Sequence, residues 1–417
     1  MAAEVVIVGA GAAGLLAAGF AAQRGLQVTV LEKTDRTAKK VRISGKGRCN
    51  VTNAMPIREF PRYYPGNGRF LYGALHRFSN EDLMDFFRNL NVELKVERGQ
   101  RVFPASDDAH QIANALERFA RSRGARINFG TRVEEIVIRN GAVEGVISSG
   151  SQGRKLHKAA VVLIAAGGKS YPGTGSNGDG YTLAAQAGHT VVEPRPSLVP
   201  LKVVEQWPKE LAGLTLKNVR LSLTYDNESV SEFGDMMFAH FGITGPIVLT
   251  ASDTAAQWFA RGADSVRGSL DLKPALTPEQ LDRRLVRDFE KFSRKQFKNA
   301  LDDLLPKRMI PIMIQLSGIA PDKPVNQISR EERLKFRDLL KQVPLTVSGT
   351  LPIAAAIVTA GGVAVDEVDP RTMESRSVKG WYFAGEVLDV HGVTGGFNLQ
   401  AAFSTAYTAA QAFMVEG

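Results

Sequence analysis

The residue types that suit chemistry are gathered in glycine-rich corners. Gly9-Ala-Gly-Ala-Ala-Gly14 is followed, eighteen residues after its last glycine, by Glu32. Gly9 suits a tight turn, Gly11 lets backbone approach a pyrophosphate, and Gly14 lets a helix pack closely on a strand. Ala12 and Ala13 then offer first-turn N–H groups and the positive end of a helix dipole. Glu32 is placed to accept from a ribose 2′-hydroxyl, and its charge disfavours a 2′-phosphate, so FAD or NAD fits and NADP does not. A second corner, Gly385-Glu386, ends a strand, and Val393-Thr-Gly-Gly-Phe-Asn-Leu-Gln400 opens an alanine-rich helix. There an acid can accept from ribityl hydroxyls, and a helix N-terminus can stabilise negative charge on a reduced flavin.

Cys49 is the one cysteine of the chain, which excludes a dithiol relay and leaves it a packed loop residue or a lone nucleophile. Arg48 can pair two phosphate oxygens or form a surface salt bridge. His240 precedes Gly242-Ile-Thr-Gly-Pro246 and reads as a general acid or as a histidine satisfied in a domain interface. Tyr171, beside Ala165-Ala166-Gly167-Gly168, is an alternative proton donor. No Ser/His/Asp triad, carboxylate pair or metal-spaced cluster stands out, and no metal is expected. Gly173-Thr-Gly-Ser-Asn-Gly178 also spells a dinucleotide pattern, but Lys169 to Pro172 separate it from the preceding strand and its helix, Tyr181 to Ala187, is short for a crossover. A dedicated nicotinamide site is not expected there.

Elements must position these residues. Glu4 to Gly9 reads as a buried parallel strand, a helix runs to about Arg24, and Gln27 to Glu32 is the second strand. The uncharged run Val5 to Gln23 approaches membrane-spanning length, yet its glycines and the preceding Glu4 favour a buried strand and helix. Thr34 to Asn53 is a polar loop, too glycine-rich for a core element. Helices are expected over Asn80 to Asn89 and Asp107 to Arg123, a hairpin around Glu97 to Arg101, and another joining Thr131 to Ile138 and Ala142 to Ser148 through Asn140-Gly141. Ala159 to Ala166 is a further buried strand. Pro194, Pro196 and Pro200 mark a boundary, after which Leu214 to Tyr225 and Ser269 to Leu272 are strands of a β-rich domain. Capping boxes at Thr277 and Ser329 begin helices expected over Thr277 to Met309 and Ser329 to Gln342.

Composition bounds the rest. The chain has 417 residues, 44% hydrophobic and 23% charged, enough apolar material for two or three cored domains. One cysteine excludes a disulfide framework and fits a reducing cytoplasm, the expected location. A net charge of +9 suits anionic ligands without choosing among them. The 40 glycines follow no repeat, so they belong at particular turns and close approaches.

With Ser44-Gly-Lys-Gly-Arg-Cys-Asn-Val-Thr-Asn53, Ser170-Tyr-Pro172, His240-Phe-Gly-Ile-Thr-Gly-Pro246, Thr372-Met-Glu-Ser375 and Gly385-Glu-Val-Leu-Asp389 added to the first motif, the chain resembles a family over almost its whole length. This is the BaiN-like or aminoacetone-oxidase-like group of bacterial NAD(P)/FAD-dependent oxidoreductases, within the glutathione-reductase-type flavoproteins. The resemblance implies an α/β fold: a discontinuous Rossmann-like FAD-binding domain (1–193 and 351–417), an inserted β-rich domain (194–275 and 343–350) and a helical domain nested in it (276–342). It implies that Gly9, Gly11, Ala12, Ala13, Gly14 and Glu32 bind the ADP half, with Lys33 beside the ribose acid and Val133 meeting adenine through its backbone. Gly45, Gly47, Arg48, Cys49 and Asn50 would line the pyrophosphate and flavin side. Ala166, Gly167, Gly385, Glu386, Gly396, Asn398 and Leu399 would hold the ribityl chain and isoalloxazine. Ala360 stands where many members carry cysteine, and His391 occupies a variable position beside the flavin corner, a third candidate for catalysis or substrate choice. The implied activity passes hydride through flavin N5 between NAD(P)H, a transient reductant, and a small organic substrate. Two alternatives stay open: an oxygen-dependent amine oxidase releasing peroxide, and a flavin-bearing nucleic-acid-binding protein suggested by basic segments such as Arg283-Arg-Leu-Val-Arg287. Acids interleave with those bases, so nucleic acid is not the expected partner; no membrane partner is expected, and the sequence carries no sign of oligomeric state.

Overall fold

The computed structural model describes residues 5–150 and 153–414; Glu4, expected to start the first strand, lies outside them. Two compact units result, one from the chain up to Ser197 together with Ile353 onward, the other from Leu198–Pro352.

The first unit is built on a parallel sheet. Its strands β1 (Val5–Val8) and β2 (Val28–Leu31) flank α1 (Ala12–Gln23) in sequence, α2 (Lys39–Gly47) follows, and β3 (Arg126–Asn128), β4 (Val161–Ile164), α3 (Asp179–Gln186), β5 (Trp381–Phe383) and α4 (Phe397–Ala412) complete the frame. The strand order is β5-β4-β1-β2-β3, all parallel. Burial on both faces explains why Val5-Val-Ile-Val8 and Val161-Val-Leu-Ile164 are unbroken apolar runs. The uncharged run that approached spanning length is thus β1, the glycine turn and all of α1, a helix buried round most of its surface. Among the described residues no helix is long and apolar enough to cross a membrane.

The polar loop expected over Thr34 to Asn53 contains α2, but Ser44 has ψ 151° and Gly45 and Lys46 are left-handed, so regular helix stops at Ile43. The hairpin through Asn140-Gly141 forms as expected, both residues at positive φ, and gains a third strand, Gly153–Lys158.

In the second unit six strands close a barrel: Leu201–Val203, Gly242–Thr244, Glu228–Ala239, Thr215–Tyr225, Val266–Asp271 and Val343–Thr350 in spatial order. Both capping boxes are present, Thr277 with Gln280 and Ser329 with Glu332, each contributing roughly 1 kcal/mol. The helix from the first box ends at Lys291, far short of Met309, where Phe292 leaves helical geometry at φ −107° and ψ 23° and the Lys295 N–H turns back to the Phe292 carbonyl. Leu281, Leu285, Phe289, Phe336 and Leu340 of these helices share one apolar core with barrel residues such as Leu221, Val266 and Leu345.

Candidate functional site

The head of α1 is shaped by close approach. A Cβ on Gly14 would stand 1.9 Å from the Gly9 carbonyl oxygen, so only glycine lets α1 reach the end of β1. Gly11, by contrast, has nothing within 4 Å of where its Cβ would be. It is the N-cap of α1 and supplies no side-chain acceptor, which leaves the first-turn N–H groups of Ala12 and Ala13 for a ligand. Glu32 is fixed at the end of β2 by two backbone donors: the Ala10 N–H reaches Oε2 and the Thr34 N–H reaches Oε1, each at 2.8 Å. Each carboxylate oxygen keeps a further lone pair. An open backbone approach, an uncapped helix and an oriented carboxylate suit a pyrophosphate and the ribose diol beside it.

Lys33 turns away from Glu32. Its ammonium pairs with Asp179 at 2.7 Å and bonds Asn177, and Arg132 donates to the same Asp179 carboxylate at 2.8 Å. Val133 follows on the same strand and is buried. The Gly173–Gly178 loop accounts for its own glycines: a Cβ on Gly175 would meet Thr34 Cγ2 at 3.1 Å and Glu32 Oε1 at 4.0 Å. This loop walls the end of β2, and the helix after it, α3, has eight residues.

The segment after α2 packs on the start of α4. A Cβ on Gly396 would lie 2.4 Å from the Thr52 carbonyl oxygen. The Asn50 amide, in the orientation that satisfies both ends, donates to the Thr52 and Val102 carbonyls and accepts from the Gly396 N–H. Gly45 and Gly47 have positive φ on either side of Lys46. Cys49 is fully buried, and burial pushes its thiol up to about 12, which leaves it protonated and unreactive. The Arg48 guanidinium lies 4.3 Å from the Phe103 ring centroid and pairs with Glu97 and Asp107, so its paired donors are taken up by carboxylates.

Around Glu386 a network appears whose basic member the sequence did not single out. Lys40 Nζ donates to Glu386 Oε2 at 2.8 Å, to Oε1 at 3.1 Å and to Ser170 Oγ at 2.7 Å. The Thr359 N–H also donates to Oε1 at 2.8 Å. Nothing in the spacing of Lys39-Lys40 marked the second lysine, and Thr359 comes from a distant strand. Ala166 and Gly167 lead into this network, Gly385 opens the turn that carries Glu386, and a Cβ on Gly168 would come 3.0 Å from Glu386 Cδ. Tyr171 follows Ser170 at φ 51°, a conformation costly for an aromatic residue, with its side chain 40% exposed.

The third part lies before α4. His391 is buried, and Asp389 two residues earlier interacts with it electrostatically while its own carboxyl is pushed up by burial. Asn67 Nδ2 donates to the Asp389 carbonyl at 2.8 Å and to its carboxylate at 2.9 Å. Asn398 pins the loop by accepting from the Gly392 N–H and donating to its carbonyl, both at 2.8 Å, and Leu399 packs on the core. His240 belongs to the other unit, exposed at the tip of the turn between two barrel strands with its ring against Phe241. Among the described residues no cluster could hold a metal ion.

A family model described as the HI0933-like protein Rossmann domain matches residues 3–412. The chain is 32% identical over 411 residues to the 3-dehydro-bile acid delta(4,6)-reductase of Clostridium scindens, covering 98% of each chain. It is also 32% identical over 413 residues to the ribosomal RNA dihydrouridine synthase of Haemophilus influenzae, covering 98% of this chain and 97% of the relative. Among solved structures, 3-ketosteroid delta1-dehydrogenase from Sterolibacterium denitrificans superposes with a TM-score of 0.54 at 13% identity over 98% of both chains, a likeness of fold.

Proposed function

Because the chain belongs to the HI0933-like family of BaiN-like FAD-dependent oxidoreductases over residues 3–412, we propose that it is an NAD(P)H-linked reductase of a carbon–carbon double bond conjugated to a carbonyl group. The observation that carries the cofactor reading is Glu32, its two oxygens oriented by the Ala10 and Thr34 amides beside the uncapped head of α1. The acceptor class is supported by chemistry common to two relatives' names, since a 3-oxo-4-ene and a uracil ring each place a C=C bond next to a carbonyl.

When bound, FAD supplies a two-electron carrier between nicotinamide and substrate. Gly9, Gly11, Ala12, Ala13 and Gly14 would hold its pyrophosphate, Glu32 its adenosine ribose, and the Val133 backbone its adenine. Gly45, Gly47 and Asn50 would shape the middle of the site. Glu386, anchored through Lys40 and Thr359, would accept from the ribityl chain alongside Ala166, Gly167 and Gly385. The N-terminus of α4, with Gly396, Asn398 and Leu399, would face the ring's electron-rich edge and favour its negative charge. His391, buried in the loop that opens α4, would supply the proton that the α-carbon of the reduced substrate takes up. Asp389, braced by Asn67, would set the field at that imidazole. Tyr171 and His240 are the competing donors.

The test is anaerobic. NADH or NADPH is expected to bleach the flavin band near ~450 nm, and a 3-oxo-4-ene steroid or a uridine-containing RNA is expected to restore it. Failure of both nicotinamides removes the proposed reductant. Reoxidation by oxygen alone, with peroxide formed on an amine panel, replaces the reductase with an amine oxidase. His391→Asn is expected to slow substrate-driven reoxidation about a hundredfold while leaving bleaching unchanged; the same split in Tyr171→Phe or His240→Asn, and not in His391→Asn, moves the proton to that residue. A second reading places the double bond in an RNA uracil, favoured by the net charge of +9 and by the name of the Haemophilus influenzae relative.

A further inference from the structure

Between Pro56 and Arg77 the chain carries four arginines, Arg58, Arg62, Arg69 and Arg77, against one carboxylate, Glu59. This stretch forms the short helical turns Ile57–Tyr63 and Gly68–Leu71 and the helix Tyr72–Arg77. All four arginines are exposed, Arg58 and Arg62 with side chains 80% and 79% accessible. Among the described residues Glu59 is the one acid that pairs with these arginines, and it is shared, 3.8 Å from Arg58 and 2.9 Å from Arg62. Arg77 donates to the Arg371 carbonyl, which leaves its charge unneutralised. Tyr72 is 57% exposed, the most exposed large aromatic side chain among the described residues. It is not a stray ring, because His76 lies against it at 4.2 Å between centroids and is itself fixed by a 2.8 Å bond to the Tyr72 carbonyl.

The same stretch is clamped to the loop that opens α4. Tyr63 stacks on Phe397 with centroids 4.6 Å apart and planes 6° from parallel, and the Tyr64 hydroxyl donates to the Phe397 carbonyl at 2.8 Å. Asn67 binds Asp389, and the Val393 N–H donates to the Tyr63 carbonyl at 2.9 Å. A ligand held on this surface therefore lies on a segment joined directly to the His391 loop. Guanidinium groups pair phosphate oxygens two at a time and stack on bases, and an exposed, rigid aromatic pair offers a platform for an unstacked base. A membrane surface would be met by lysines and an apolar ridge, and an acidic protein would not call for an exposed stacking face.

We propose that the segment from Pro56 to Arg77 is a docking surface for single-stranded RNA. The arginines take backbone phosphates and Tyr72 with His76 stacks one base. The proposal rests on the reductase reading only for what becomes of the bound strand, since an enzyme that reduces a base needs it out of the stack.

Fluorescence anisotropy of the FAD-loaded, full-length protein with a labelled uridine-rich 20-nucleotide single strand tests it. The triple variant Arg58→Glu, Arg62→Glu, Arg69→Glu is expected to raise Kd more than tenfold at roughly 0.1 M salt and to flatten the dependence of log Kd on log salt by two to three. Tyr72→Ala is expected to raise Kd about tenfold with the salt slope unchanged. Bound FAD and bleaching by NAD(P)H report that both variants are folded and are expected to match the parent. Equal affinity of parent and variants overturns the surface. So does equal, variant-sensitive binding of polyglutamate, which would make it a general polyanion site. A parent that ignores RNA while a 3-oxo-4-ene steroid reoxidises its flavin also overturns the surface and leaves the reductase standing; variant-sensitive RNA binding without bleaching keeps the surface and removes the reductase.

Discussion

Cys49 and Lys40 reverse the prominence their sequence neighbourhoods gave them. The cysteine stands in the most distinctive motif of the chain, yet its thiol is pushed to about 12 by burial, and the thiolate is the reactive form. Iodoacetamide at about pH 8 is expected to leave the native protein unmodified and to add one label after unfolding in guanidinium; rapid labelling of native protein by mass spectrometry would contradict this. Lys40 is an unremarked member of a basic pair, yet it holds Glu386 through both carboxylate oxygens. Hydrogen bonds to a charged group contribute roughly 1.5–3 kcal/mol. Lys40→Met is therefore expected to weaken FAD binding by roughly 10- to 100-fold, read from flavin fluorescence on titration, with Lys40→Arg recovering part of it. An unchanged affinity would show that Glu386 keeps its place without the lysine.

At the scale of elements, two glycines of one motif separate packing from ligand approach. Gly14→Ala puts a methyl 1.9 Å from the Gly9 carbonyl oxygen and is expected to cost about 3 kcal/mol in chemical denaturation. Gly11→Ala meets no heavy atom within 4 Å, and its φ of −82° suits alanine. It is expected to leave stability within about 0.5 kcal/mol and to weaken FAD binding. If both substitutions unfold the protein, the open space above Gly11 has no functional meaning. The strand, glycine turn, helix and acid were legible because they follow one another within one βαβ unit, and the capping boxes because each needs four consecutive residues. The β-rich domain was legible but its closure was not: the barrel closes when Leu201–Val203 pairs with both Gly242–Thr244 and Val343–Thr350, and the first two of these strands have three residues each, too few to show a period. Lys40, Ser170, Thr359 and Glu386 were hidden in the same way, brought together from four separated places.

For the whole molecule, a buried histidine contributes an acid sensitivity. His189 bonds Ser375 Oγ at 2.8 Å through Nε2, its Nδ1 has no partner among the described residues, and burial lowers its pKa from the ordinary 6.5. The unfolded chain then takes up the proton first. The histidine's contribution is complete above pH 6.5 and is lost as pH falls from there toward the folded-state value. Unfolding free energy is expected to drop as pH falls below about 6.5, with a shallower drop in His189→Gln; identical slopes would place the acid sensitivity elsewhere. The unit Leu198–Pro352 has its own core and a closed sheet. Expressed alone, it is expected to unfold in one cooperative transition by circular dichroism, and a gradual melt would mean that it depends on the rest of the chain. Its ends meet: the Leu351 N–H donates to the Pro200 carbonyl at 3.0 Å. A 150-residue-scale excursion that leaves and returns through one hydrogen bond is a cassette. Its counterpart from a relative can be spliced in at two neighbouring peptide bonds without bridging a gap, while the dinucleotide frame is kept intact.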